Sequence, residues 1–113
     1  MKIIDRKIAI DELRQMAAAT FGDMVKAVVD VERELLAVDA ELHSDLEALL
    51  LEKGSKQKDL WGINFYPEMT GNDFMEFDSL INIKPSLGNR SRGVESGEIR
   101  KKIASIAAER IAR

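Results

Sequence analysis

Apolar residues recur along the chain with two periods, and each change of period marks a boundary between elements. Met1–Ile4 reads as a short edge strand. After Asp11, placed to cap a helix, Leu13, Met16 and Ala17 fall on one helical face, and the helix runs roughly to Thr20. Phe21-Gly22-Asp23 supplies the stop, because Gly22 suits the positive φ of a helix C-terminus. Met24, Val28, Val31, Leu35, Val38 and Leu42 then repeat at heptad spacing, which favours one long helix. The same stretch alternates Val29 and Val31 with Asp30 and Glu32, which favours two strands turning at Glu32–Glu34. Periodicity prefers the helix narrowly and leaves the hairpin open.

The remainder is easier to parse. Leu46, Leu49 and Leu50 form a stripe behind Ser44 and Glu47, spaced as a capping box, with Leu42 as a hydrophobic staple and Gly54 as the terminator. Leu60–Tyr66 alternates as a strand closed by Pro67, Glu68–Asp73 is a turn, and Phe74–Pro85 is the returning strand. A loop over Ser86–Glu95 precedes a final helix that starts near Ser96 and continues to the end, with Ile99, Ile103 and Ile106 as its stripe and Ala107 and Ile111 beside it. The expected fold is α+β, in the order α-ββ-α-ββ-α. An antiparallel sheet of about four strands, in two hairpins, carries two to three helices on one face.

Length confines this pattern to a single domain over residues 1–113, since two halves would each lack a proper core. Hydrophobic residues are 45% of the chain, ordinary for a globular protein, while aromatics are 5%, so the core must be mainly aliphatic. The absence of cysteine excludes disulfides, thiolate metal sites and cysteine nucleophiles, and fits a cytoplasmic location. No apolar run is long enough for a membrane span, and the charged N-terminus argues against a signal peptide. The net charge of −3 divides unevenly: residues 1–83 carry −8 and residues 84–113 carry +5. A basic C-terminal third either faces an anion or is neutralised by the acidic remainder, and neutralisation is the commoner arrangement.

The strings FGDMVKAVVDVER, ELHSDLEALLLEKGSKQKDLWGINFYPE and FDSLINIKPSLGNRSRGVES resemble a family of short prokaryotic proteins known only as a domain of unknown function. The resemblance runs from about Phe21 through the last helix. It implies no activity and no catalytic residue. It does imply Gly-Gly in relatives where this chain has Asp39-Ala40, which suits strand or turn backbone better than a helix interior, and so it decides Val25–Leu42 in favour of the hairpin.

Few residues suggest chemistry. His43, the only histidine, lies among Glu41, Asp45 and Glu47 and is the one candidate for general-base catalysis or metal ligation, although acids there are equally explained by a helix start. The commoner role for His43 is capping or surface. Asn64 and Asn82 place amides between apolar neighbours and need partners, across the hairpin or on a ligand. In the loop, Asn89, Arg90, Ser91 and Arg92 between Gly88 and Gly93 could hold a phosphate or carboxylate. The competing role for either arginine is a bridge to Asp78, Glu76 or a partner subunit. No nucleotide motif, metal-ligand set or cofactor signature is present.

These features fit best a small cytoplasmic protein with a binding or interaction role, homodimeric and without catalysis. The first alternative is an enzyme or binding protein for a phosphorylated or carboxylated small molecule. It would use Arg90 and Arg92 as a clamp and His43 as base in one shared cleft. The second is a nucleic-acid accessory protein of toxin–antitoxin type, for which no binding module is visible.

Overall fold

The computed structural model describes residues 1–113 as an α+β fold. Strands β1 (Lys2–Ile4), β3 (Val25–Asp30), β4 (Leu35–Val38), β5 (Leu60–Phe65) and β6 (Met75–Glu76) form an antiparallel sheet in the order β1-β4-β3-β5-β6. Two further short strands, β2 (Ile8–Ala9) and β7 (Ile111–Ala112), pair in parallel as a separate ribbon. Helices α1 (Ile10–Ala19), α2 (His43–Glu52) and α3 (Gly97–Arg110) complete the fold. No helix is long and apolar enough to cross a membrane.

Val25–Leu42 is a hairpin, and its turn has a visible cause. Asp30 is fully buried at the end of β3, and its Oδ1 accepts from the backbone N–H groups of Glu32 and Arg33 at 3.0 and 2.9 Å. Ser55 donates to the other carboxylate oxygen at 2.6 Å. A side chain that satisfies the turn's own donors offers the chain an alternative to helix. Glu34 (φ 56°) and Asp39 (φ 75°) take left-handed conformations that a continuous helix excludes.

Strand alternation then divides the core. Ala27, Val29, Leu36, Val38, Ile63 and Phe65 face α1 and α3, which contribute Leu13, Ala17, Ile103, Ile106 and Ala107. Val28, Ala37 and Leu60 face the opposite way, onto Leu46 and Leu50 of α2. The sheet therefore has five strands rather than four, and helices cover both faces rather than one. The pattern did not reveal this, because short strands buried on both sides look like apolar runs.

Other boundaries move as well. α1 starts at Ile10, directly from β2, and Asp11 does not cap it; its carboxylate accepts from Arg14 Nη1 at 2.6 Å. α2 starts at His43, no side chain caps it, and Leu42 is 56% exposed, so neither capping box nor staple forms. The strand expected over Phe74–Pro85 survives only as β6, followed by single 3-10 turns at Leu80–Asn82 and Pro85–Leu87. Ser96 does cap α3, accepting from the Ile99 N–H at 3.2 Å, but α3 gives way to β7 rather than running on.

Candidate functional site

Asn64, Asn82, Asn89, Ser91 and Arg92 form one connected network beside β5, on the side that β6 extends. Asn82, fully buried, aligns its carboxamide with the backbone of Gly62. Oδ1 accepts from the Gly62 N–H at 2.7 Å, and Nδ2 donates to the Gly62 carbonyl at 2.9 Å and to the Arg92 carbonyl at 2.8 Å. A side chain thus takes the place of a neighbouring strand. Gly62 must remain bare, because a Cβ there would lie 2.5 Å from Ser79 Cβ and 3.2 Å from His43 Cδ2. Asn64 instead donates to Glu76 Oε1 at 2.9 Å, and its buried Oδ1 has no hydrogen-bond partner.

His43 is 7% exposed, not a surface or capping residue. Its Nε2–H donates to the Ile63 carbonyl at 2.8 Å, which fixes the tautomer. Burial holds the imidazole pKa below the ordinary value; the bond to Ile63 opposes this and the charge of Lys26 adds to it. Glu41 and Asp45 are exposed, and no group of three or more carboxylate or imidazole side chains converges around His43.

Asn89 organises the loop. Its Nδ2 donates to the carbonyls of Asn82, Gly93 and Ser91 at 2.7, 2.8 and 3.2 Å, and its Oδ1 accepts from the Glu95 N–H at 2.8 Å. The backbone N–H groups of Arg90 and Ser91 do converge on an anion, which is the chain's own Glu95 carboxylate: Oε2 accepts from both, at 2.7 and 2.9 Å. These two bonds hold the Glu95 pKa below the carboxylate range. Arg92 pairs with Asp78 at 2.7 Å, and Arg90 makes no ion pair. None of the four principal cavities contains both His43 and an arginine of this loop.

The largest of these four cavities lies elsewhere. It is a groove of about 920 Å³ between α3 and the β6 segment, walled by Phe74, Met75, Phe77, Ala104, Ala107 and Ile111. Every charged residue lining it is basic: Arg100, Lys101 and Arg113. Arg100 lies over the Phe77 ring at 5.0 Å and Arg113 over the Phe74 ring at 4.3 Å, and none of the three cations is ion-paired. An adjoining cavity of about 450 Å³ shares Met75, Phe77 and Arg100 and is bordered by Ser91, Gly93 and Glu95 of the loop. Neutralisation at home, the commoner fate of a basic segment, accounts for Arg92 alone among the ion pairs of the C-terminal third.

The network and the groove define what relatives would have to share. No curated protein and no solved structure matches the chain. Residues 2–110 match the family described as protein of unknown function (DUF5674), and the chain belongs to that family.

Proposed function

We propose that this protein is a non-catalytic binding module for a small carboxylated or phosphorylated molecule with an apolar body, held in the groove between α3 and β6. The observation that carries this reading is the groove's composition: an apolar floor and aromatic walls, three cations without a side-chain ion pair and no acidic side chain. Its volume is that of pockets that enclose small ligands. An anionic head would meet guanidinium groups already placed over aromatic rings, and an alkyl or aryl tail would cover Ala104 and Ala107. The clamp shifts from Arg90 and Arg92, expected from the sequence, to Arg100 and Arg113.

Titration of the labelled protein with decanoate and with phenyl phosphate tests this. Amide shifts should concentrate at Phe74, Phe77 and Ala104, and Ala104→Trp should abolish them while leaving the rest of the spectrum in place. Shifts that are absent at millimolar ligand, or that survive Ala104→Trp, overturn the reading.

Self-association is a second reading, and it has its own observation. Leu42 and Leu51, at the start of α2 and within it, and Leu80, on the turn beside α2, are 56%, 39% and 66% exposed. Burying such residues against a second copy would remove apolar area from water. Light scattering should give a dimer mass that Leu42→Asp with Leu80→Asp halves; a monomer across micromolar concentrations refutes it.

A further inference from the structure

Lys84 stands on a rigid support. Its backbone pairs with Asn89, donating at 2.8 Å and accepting at 3.1 Å, and Pro85 follows it directly. The residue is only 8% exposed. Its Nζ donates to the Gln57 carbonyl at 3.0 Å and lies 5.4 Å from the centroid of the Trp61 ring. No carboxylate reaches it within ion-pair distance. Lys84 also lines a cavity of about 290 Å³ with Lys58, Ile81, Ile83, Pro85 and Leu87. A buried amine with no carboxylate in ion-pair contact, beside an open cavity, is unusual, because lysine is rarely buried without a partner.

We propose that Lys84 is an amine nucleophile that forms a reversible imine with a small carbonyl compound in this cavity, a 2-oxo acid being the class it matches best. The cavity has room for a small carbonyl compound, and the charged residues lining it are both lysines. Burial disfavours the ammonium and lowers the Lys84 pKa, against a smaller opposing effect from Glu47 on α2, while Lys58 is tied to Asp59 at 3.1 Å. The lone pair of the free amine attacks the carbonyl carbon; the carbonyl π pair moves to oxygen, which is protonated. The carbinolamine then expels that oxygen as water, the nitrogen losing a proton, so amine and carbonyl give imine and water with no redox change. This site is separate from the α3 groove, and either can fail without the other.

The test is reductive trapping of the intact protein with glyoxylate and cyanoborohydride, followed by peptide mapping. The chain's other eight lysines serve as internal controls. At neutral pH Lys84 should be modified roughly tenfold or more faster than any exposed lysine, because the unprotonated amine is the reacting form. The preference should vanish in denaturant and shrink as pH approaches that of ordinary lysine ionisation. Lys84→Arg, which keeps the charge, should remove the dominant adduct and leave the minor ones. If burial merely shields the amine, Lys84 will be modified no faster than the exposed lysines, and the proposal is wrong.

Discussion

Asn82 is a side chain used as a strand: its carboxamide closes both hydrogen bonds on the backbone of Gly62 that a neighbouring peptide would otherwise make. Asn82→Ala leaves the Gly62 N–H and carbonyl unpaired in a buried place and removes the donor to Arg92. The expected loss is roughly 2–4 kcal/mol, since buried groups stripped of partners cost more than the bond itself contributes. Urea unfolding monitored through Trp61 measures it. A loss below about 0.5 kcal/mol, the range of ordinary surface substitutions, would mean that water replaces the amide without penalty.

Gly62→Ala tests the same spot from the other side. Its Cβ would press on Ser79 Cβ, which is fixed to backbone and cannot swing away. Overpacking of this kind costs roughly 1–3 kcal/mol. Ser79→Gly in the same molecule should recover part of that loss, so the double variant should be more stable than the sum of the single effects implies. Strict additivity would show that the clash relaxes elsewhere.

His43 predicts how stability changes near neutrality. Its folded pKa lies below the unfolded value of 6.5, so the unfolded chain binds the proton more readily. Stability from this group is complete above the unfolded pKa and declines as pH falls below it. The single histidine resonance should titrate below the ordinary range, and the melting temperature should drop on acidification from pH 7 to 5. A resonance that titrates at or above the ordinary value would contradict the buried neutral imidazole.

Glu95 acts at lower pH and with the carboxylate sign. A folded pKa held below 4.5 by the Arg90 and Ser91 amides means stability that is present above the unfolded value and lost as pH falls through the folded one. Glu95→Gln should flatten the acid limb of the melting-temperature profile below about pH 4.5 while leaving the His43 region unchanged. An unaltered acid limb would remove Glu95 from the account of the loop.

The sequence reveals some of this clearly and hides the rest for physical reasons. The α3 start near Ser96, Gly22 as the α1 stop and the amides of Asn64 and Asn82 as groups needing partners are local signals, and local chemistry decides them. The hairpin at Asp30 needed the resemblance, because the apolar residues of β3 and β4 also fit a heptad. Asp39 adopts the positive φ that the glycine implied at this position would take most easily. The Ser44 capping box does not form because the helix starts two residues earlier, at His43 behind Leu42, and the buried imidazole of His43 is held there by the Ile63 carbonyl. The groove is not legible in the sequence, since the pattern over Phe74–Pro85 predicts a strand and nothing places Phe74 and Phe77 under Arg113 and Arg100.

The β2–β7 ribbon gives the groove a remote connection. Ile111 and Arg113 form one end of the groove, and Ile111 is held in register by Ile8 near the other end of the chain. Lys7 Nζ on the Glu109 carbonyl at 2.7 Å adds a tie at the same joint. A ligand seated in the groove as proposed would bear on a residue that this two-residue clasp holds in register, so its binding and clasp closure would be linked. A ligand that favours the closed form must slow amide exchange around Ile8, and loosening the clasp at Ile8 must weaken the ligand by the same factor, although Ile8 does not line the groove.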